Sequence, residues 1–193
     1  MNMKHALLLL ILMSCAACTA VTSKKPVGEK IPTLDPAIWN GKWTGSNGTV
    51  QSRIKDAGQG VVELTLTEFE KPDHPEVHDT LIRTVSDQVI ANTQDKGDYY
   101  FGRVVISQDH LVIFPPDTTV FSKLLEAGTL RGERLKNDKG KLTGSSVLNE
   151  FSERDVQALE ALAKEKGSSF RLRDLFDADP VLALVRLKSP EKK

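Results

Sequence analysis

The chain has 193 residues, 39% of them hydrophobic, with 26 Lys and Arg against 26 Asp and Glu, the make-up of an ordinary globular protein and not of a disordered or collagen-like one. A formal net charge of zero gives no electrostatic footprint for nucleic acid, whose binders carry a strongly basic domain or stripe. Two cysteines cannot build a disulfide framework, and this length holds one domain or barely two.

The N-terminus carries Lys4, runs apolar from Ala6 to Met13, and continues with the small residues Ser14, Ala16 and Ala17, the three-part layout of an export signal. The apolar run is far short of the roughly 20 residues a spanning helix needs. Leu12, Met13, Ser14 and Cys15 resemble the lipobox of bacterial lipoproteins, and residues 1–14 then form the signal peptide. The resemblance implies a diacylglyceryl thioether on Cys15 and an acylated amino group, several acyl chains that together anchor stably. Cys18, behind Ala16 and Ala17, is the second candidate for lipidation, and a plain secretory signal cut near Ala17 or Ala20 is the other alternative. Ala16 directly after Cys15, where lipoproteins retained at the inner membrane tend to have aspartate, points to the outer membrane, lipid-anchored and facing the periplasm. With Cys15 acylated no intramolecular disulfide is left, and nothing near Cys18 would lower its pKa.

Residues 15–38 read as the lipidated N-terminus and a flexible tether, because Pro26, Pro32 and Pro36 interrupt a segment without apolar period. Every Trp, Tyr and Phe lies from Trp39 onward, which sets a single β-rich domain at residues 39–187 and a polar tail at 188–193. In residues 60–69, Val62, Leu64 and Leu66 alternate with Glu63, Thr65 and Thr67, the period of a strand with one wet face. Residues 80–85 and 88–91 are shorter strands around a turn at Ser86 and Asp87. Residues 99–107 and 110–114 form a hairpin apolar on both faces and so central in its sheet. Asp117 or Thr118 caps a helix carrying Val120, Phe121, Leu124 and Leu125, which Gly128 stops. Residues 129–136 and 141–148 make a second hairpin. Ser152 with Asp155 approximates a capping box, Phe151 and Val156 a hydrophobic staple, and the helix they open ends at Gly167. Residues 181–187, almost wholly apolar, read as a closing buried strand. The expected fold is α+β, an antiparallel β-rich sheet or partial barrel with two short helices in the C-terminal half.

No GxSxG elbow, phosphate loop, HExxH or body-located CxxC is present, so the expectation is no enzyme and no cofactor. Asp73, His74, Glu76, His78 and Asp79 have the residue types of a zinc site, but Pro72 and Pro75 disfavour a shared helical face and a solvated loop is the favoured reading, with no metal. Arg131, Arg134, Lys136, Lys139 and Lys141 outnumber Glu133 and Asp138 on the second hairpin; either they guard a sheet edge or they face anionic head groups beside the anchor. Trp43, Tyr99, Tyr100, Phe101 and Phe114 are the candidates for lining an apolar ligand pocket, against ordinary core packing.

Gly41, Lys42 and Trp43 resemble the GxW signature that opens lipocalins, and Asp98 with Tyr99 resembles part of their TDY motif, with Gly97 in place of the threonine. This resemblance implies a carrier of a small hydrophobic ligand. Residues 99–187 are also similar to bacterial lipoproteins with a small α+β domain of no assigned activity, a likeness that implies an envelope location and brings no site residues. The sequence thus points to a membrane-anchored periplasmic lipoprotein acting as a binding or envelope-assembly module. Its expected partners are the membrane, through the lipid anchor, and either an envelope protein or a small apolar ligand; nucleic acid is not among them.

Overall fold

The computed structural model describes residues 20–187. Strands β2 (Gly41–Thr44), β3 (Gly48–Asp56), β4 (Val61–Glu68), β5 (Glu76–Val85), β6 (Gln88–Asp95), β7 (Asp98–Ile106) and β8 (His110–Phe114) follow one another as antiparallel neighbours. The last strand, β11 (Leu182–Arg186), pairs with both β8 and β2. The result is a closed eight-stranded antiparallel barrel, so the β-rich body expected as a sheet or partial barrel is a complete ring. Alternation builds it: Val50, Val62, Leu64, Leu66, Ile82, Val104, Leu111 and Leu184 point inward on successive strands and pack in two joined clusters, and closure removes the exposed edges that open sheets carry.

A second core lies on the outer face of the barrel. Residues 115–181 leave β8 and form α2 (Thr118–Glu126), the hairpin of β9 (Gly132–Lys136) and β10 (Leu142–Leu148), α3 (Glu153–Glu165) and a 3₁₀ turn at Leu172–Leu175 before returning as β11. Phe121, Phe151, Val156, Leu159 and Phe176 from this insert bury Phe101, Ile90 and Val85 of the barrel wall. The helix signals are realised as read. Asp117 accepts from the amides of Thr119 and Val120, and both the amide and the hydroxyl of Ser152 donate to the Asp155 carboxylate. The Glu153 carboxylate accepts from the Ser86 amide and hydroxyl, which fixes the start of α3 to the β5–β6 turn and holds that carboxyl below its ordinary range.

Two expectations need correction. The segment read as a flexible tether is, over residues 20–38, part of the body. Strand β1 (Val21–Ser23) lies between β7 and β10, Val27 is fully buried, and a third helix, α1 (Pro36–Trp39), capped by Asp35, packs on the barrel end. Proline spacing hid this, because the partners of β1 lie far away in sequence. The closing strand β11, expected to be buried, has one open face: Val185 is 51% exposed. None of the helices among the described residues is long and apolar enough to cross a membrane.

Candidate functional site

The barrel has a plugged end and an open end. At the plugged end the Trp43 indole N–H donates to the Ser52 hydroxyl oxygen at 2.9 Å, and that hydroxyl donates to the Trp39 carbonyl at 2.5 Å. The Arg186 guanidinium lies 4.4 Å from the Trp43 ring centroid and donates to the carbonyls of Ile38 and Asn40 at 2.5 and 3.2 Å. These bonds tie the first and last barrel strands to α1, and a cation over a buried indole adds attraction to the packing. The site of Trp43 is therefore filled.

Midway along the lumen, Ala91 lies between Ile82 and Gly102 in register. Ala91 and Gly102 line an apolar cavity of about 50 Å³ together with Val62, Leu64, Val104 and Ile113. That is about a third of the engineered 150 Å³ cavity that admits benzene, so the lumen alone does not hold a drug-sized molecule. The cavity shares Val50, Leu66, Val181 and Leu182 with a pocket of about 470 Å³ at the open end, between the β2–β3 turn, Phe69 and the start of β11. Together they make a mouth of ordinary ligand-pocket size with a narrow apolar floor.

Polar side chains stand around this floor on the opposite wall. The Thr80 and Thr93 hydroxyl oxygens are 3.3 Å apart, and Thr93 pairs with Tyr100. Burial, reinforced by Asp95 and Asp98, pushes the pKa of the Tyr100 phenol, on the cavity wall, above its ordinary value. Toward the rim, His78 Nε2 and Glu76 Oε2 face each other at 3.5 Å.

The five aromatic candidates do not converge on one pocket. Trp43 and Tyr100 face the lumen from opposite ends, while Phe101, which also borders the lumen cavity, and Phe114 pack in the outer core. Phe101 makes edge contacts with Phe121 and Phe176, and Phe114 packs under the Arg103 guanidinium, 4.1 Å from its ring centroid. Tyr99 is half-buried and pairs with Ser23 of β1. The two-sided apolar hairpin was legible, but its second buried face belongs to the insert and not to a ligand. Of the acidic and histidine cluster, Glu76 and His78 share the inward face of β5, whereas Asp79 points outward to Lys55. Among the described residues no three His, Cys, Asp or Glu converge on a metal-sized point.

The sequence patterns do not single out Ser52, Ala91, Gly102, Thr80, Thr93 or Arg186. Ser52 lies between Val50 and Ile54, and Arg186 two residues beyond Leu184; in both, strand alternation places a polar residue on the core face, which is the available signal. Cys15 and Cys18 lie outside the described residues. Comparison of the chain with family models, with curated proteins and with solved structures yields no match to any of the three.

Proposed function

We propose that this chain is a lipid-anchored envelope protein of the outer membrane, facing the periplasm, whose barrel binds a small, mainly apolar molecule at its open end and does no chemistry on it. The observation that carries the binding reading is the joined lumen and mouth. An apolar shaft too narrow for a whole ligand opens past Val50, Leu66, Val181 and Leu182 into a pocket wide enough for one, with the hydroxyls of Thr80 and Thr93 on the wall of the shaft. Such a site suits a molecule with a slender apolar end and a polar head, its tail in the shaft. The lipocalin-like Gly41, Lys42 and Trp43 support the same reading, since Trp43 sits on the first barrel strand.

The test is binding of a fluorescent alkyl probe, followed with the Ala91→Val chain. Ala91 lines the cavity, and valine there adds two methyl groups at its wall; the expected result is at least a tenfold weaker probe affinity with thermal stability equal or raised, since filling a void stabilises. Unchanged probe affinity in a folded Ala91→Val chain would remove the lumen from the site.

A second reading, docking of an envelope protein, is favoured by an outward apolar stripe. Val105 and Ala183 both pair with Val112 across β7, β8 and β11, and Val105 and Val185 are about half exposed. In-cell crosslinking from this stripe that captures one protein reproducibly, with no probe binding at the mouth, would favour it. The anchor is tested separately. Cys15→Ser is expected to move the protein from the membrane to the soluble envelope fraction, and continued membrane association would rule out acylation at that cysteine as the anchor.

A further inference from the structure

Residues 131–141 carry five basic side chains against two acidic ones, and the structure says where that charge lies relative to strand β1. Strand β1 runs parallel to β10, with Val21 opposite Ser146 and Ser23 opposite Leu148. The Ala20 amide donates to Ser145 Oγ and its carbonyl accepts from the Ser146 amide. The N-terminal end of β1, at Ala20, therefore points toward the Leu142 end of β10 and the tip of the β9–β10 hairpin. Cys15 is five positions before Ala20 in the sequence, a reach of at most about 17 Å.

The hairpin tip has the chemistry of a lipid-facing surface. Lys136, Lys139 and Lys141 are exposed, and none makes an ion pair among the described residues, whereas Arg131 pairs with Glu150 and Arg134 with Glu126. Beside them Leu135 and Leu142 are 38% and 43% exposed, adjacent to the turn that Asn137 closes by accepting from the Lys139 and Lys141 amides. Guarding a sheet edge accounts for Arg134 and Lys136, which lie on the outermost strand. It does not account for two further lysines in the turn or for leucines exposed next to them. A cationic tip with apolar side chains at its base matches an anionic bilayer surface, whose attraction acts within about a Debye length.

We propose that the β9–β10 hairpin docks on anionic phospholipid head groups next to the anchor, with Lys136, Lys139 and Lys141 on the phosphates and Leu135 and Leu142 at the head-group boundary. The geometry rests on the reading of Cys15 as the anchor, which sets how close the tip is held; the lipid preference of the tip does not. Docking fixes the orientation of the whole body, because the hairpin is in one sheet with β1 and the barrel strand β7.

The test uses the Leu135→Trp chain purified from its own host's membranes and placed in phosphatidylcholine vesicles with or without phosphatidylglycerol. The expected result is a blue shift of tryptophan emission that requires phosphatidylglycerol and reverses at about 1 M salt, where the Debye length falls to about 3 Å. Each basic side chain at such a surface is worth about a fivefold gain in partitioning. Adding Lys136→Gln, Lys139→Gln and Lys141→Gln should therefore weaken docking at a given phosphatidylglycerol content by roughly a hundredfold and abolish the shift. These positions are exposed, so far-ultraviolet circular dichroism should be unchanged. Equal emission with and without phosphatidylglycerol, or a shift that survives the three substitutions, overturns the proposal. If the protein leaves the vesicles altogether, the anchor reading fails. The same emission measured on added free protein then decides the hairpin: a salt-sensitive shift upholds its lipid preference and no shift overturns it.

Discussion

Replacing Trp43 by Ala is expected to remove about 3–5 kcal/mol of folding stability, the range for deleting a large buried aromatic side chain, out of the roughly 5–15 kcal/mol that a domain has in total. Trp43 is fully buried among Val50, Leu66, Leu111 and Leu184, and the loss compounds there. The Ser52 hydroxyl loses its indole donor, and Arg186 loses the ring it lies over. Trp43→Phe serves as the control. It keeps most of the apolar volume and a ring beneath the guanidinium and gives up the N–H bond, so its cost should be nearer 1 kcal/mol. Urea unfolding of the two chains measures both. A Trp43→Ala chain within 1 kcal/mol of the parent would mean that the plugged end contributes little to closing the barrel.

The second large effect is expected at Asn92, a fully buried polar side chain. Its Oδ1 accepts from the Val27 amide at 2.6 Å, and its Nδ2 donates to the carbonyls of Val27 and Leu81 at 3.1 and 3.3 Å. One amide side chain thus satisfies both polar groups of a buried backbone unit and pins residues 20–30 to the outside of β6. In Asn92→Leu those groups stay buried without partners, each at a cost of about 1–3 kcal/mol, so the expected total is about 3 kcal/mol or more. The loss should be local first. Trypsin should cut at Lys24, Lys25 or Lys30 in the variant while near-ultraviolet circular dichroism still reports a packed barrel. Asn92→Asp keeps the acceptor but loses both donated bonds and brings in a charge, so it should not rescue. Global unfolding simultaneous with cleavage would show that the segment and the barrel form one cooperative unit.

Elements whose evidence is local were legible in the sequence. The alternation of Val62, Leu64 and Leu66, the cap at Asp117 and the Ser152 and Asp155 box each place their own element within a residue or two, because capping and face selection act over a few positions. Strand β3 was not named, since its inward residues Val50 and Ile54 flank Ser52, and a serine on the core face looks like a break until Trp39 and Trp43 are seen to satisfy it. Strand β1 was missed for a stronger reason: three residues with no apolar pattern become a strand only between two partners more than seventy residues away. The candidate site was partly legible. Alternation gives Trp43 and Tyr100 an inward face, but it cannot separate a ligand pocket from a second core, and Phe101 and Phe114 belong to the latter. The cavity is lined by residues of several strands, Ala91 and Gly102 among them, a juxtaposition set by hairpin register, and neither residue attracts notice alone.

The placement of β11 between β8 and β2 has a consequence for how the chain acquires its fold. Seven of the eight barrel strands are consecutive, yet the ring stays open until residues 182–186 arrive after the whole outer insert. Until then β8 and β2 each present an unpaired edge, the kind of surface that recruits strands from other chains. During synthesis β11 is the last of the eight barrel strands to be made and acts as the latch, so a truncation before Leu182 should yield aggregates and not a slightly weakened monomer. The insert, folding between β8 and its closing partner, has time to form its own helices before the ring shuts, and the slow step of folding is expected to be the long-range docking of β11.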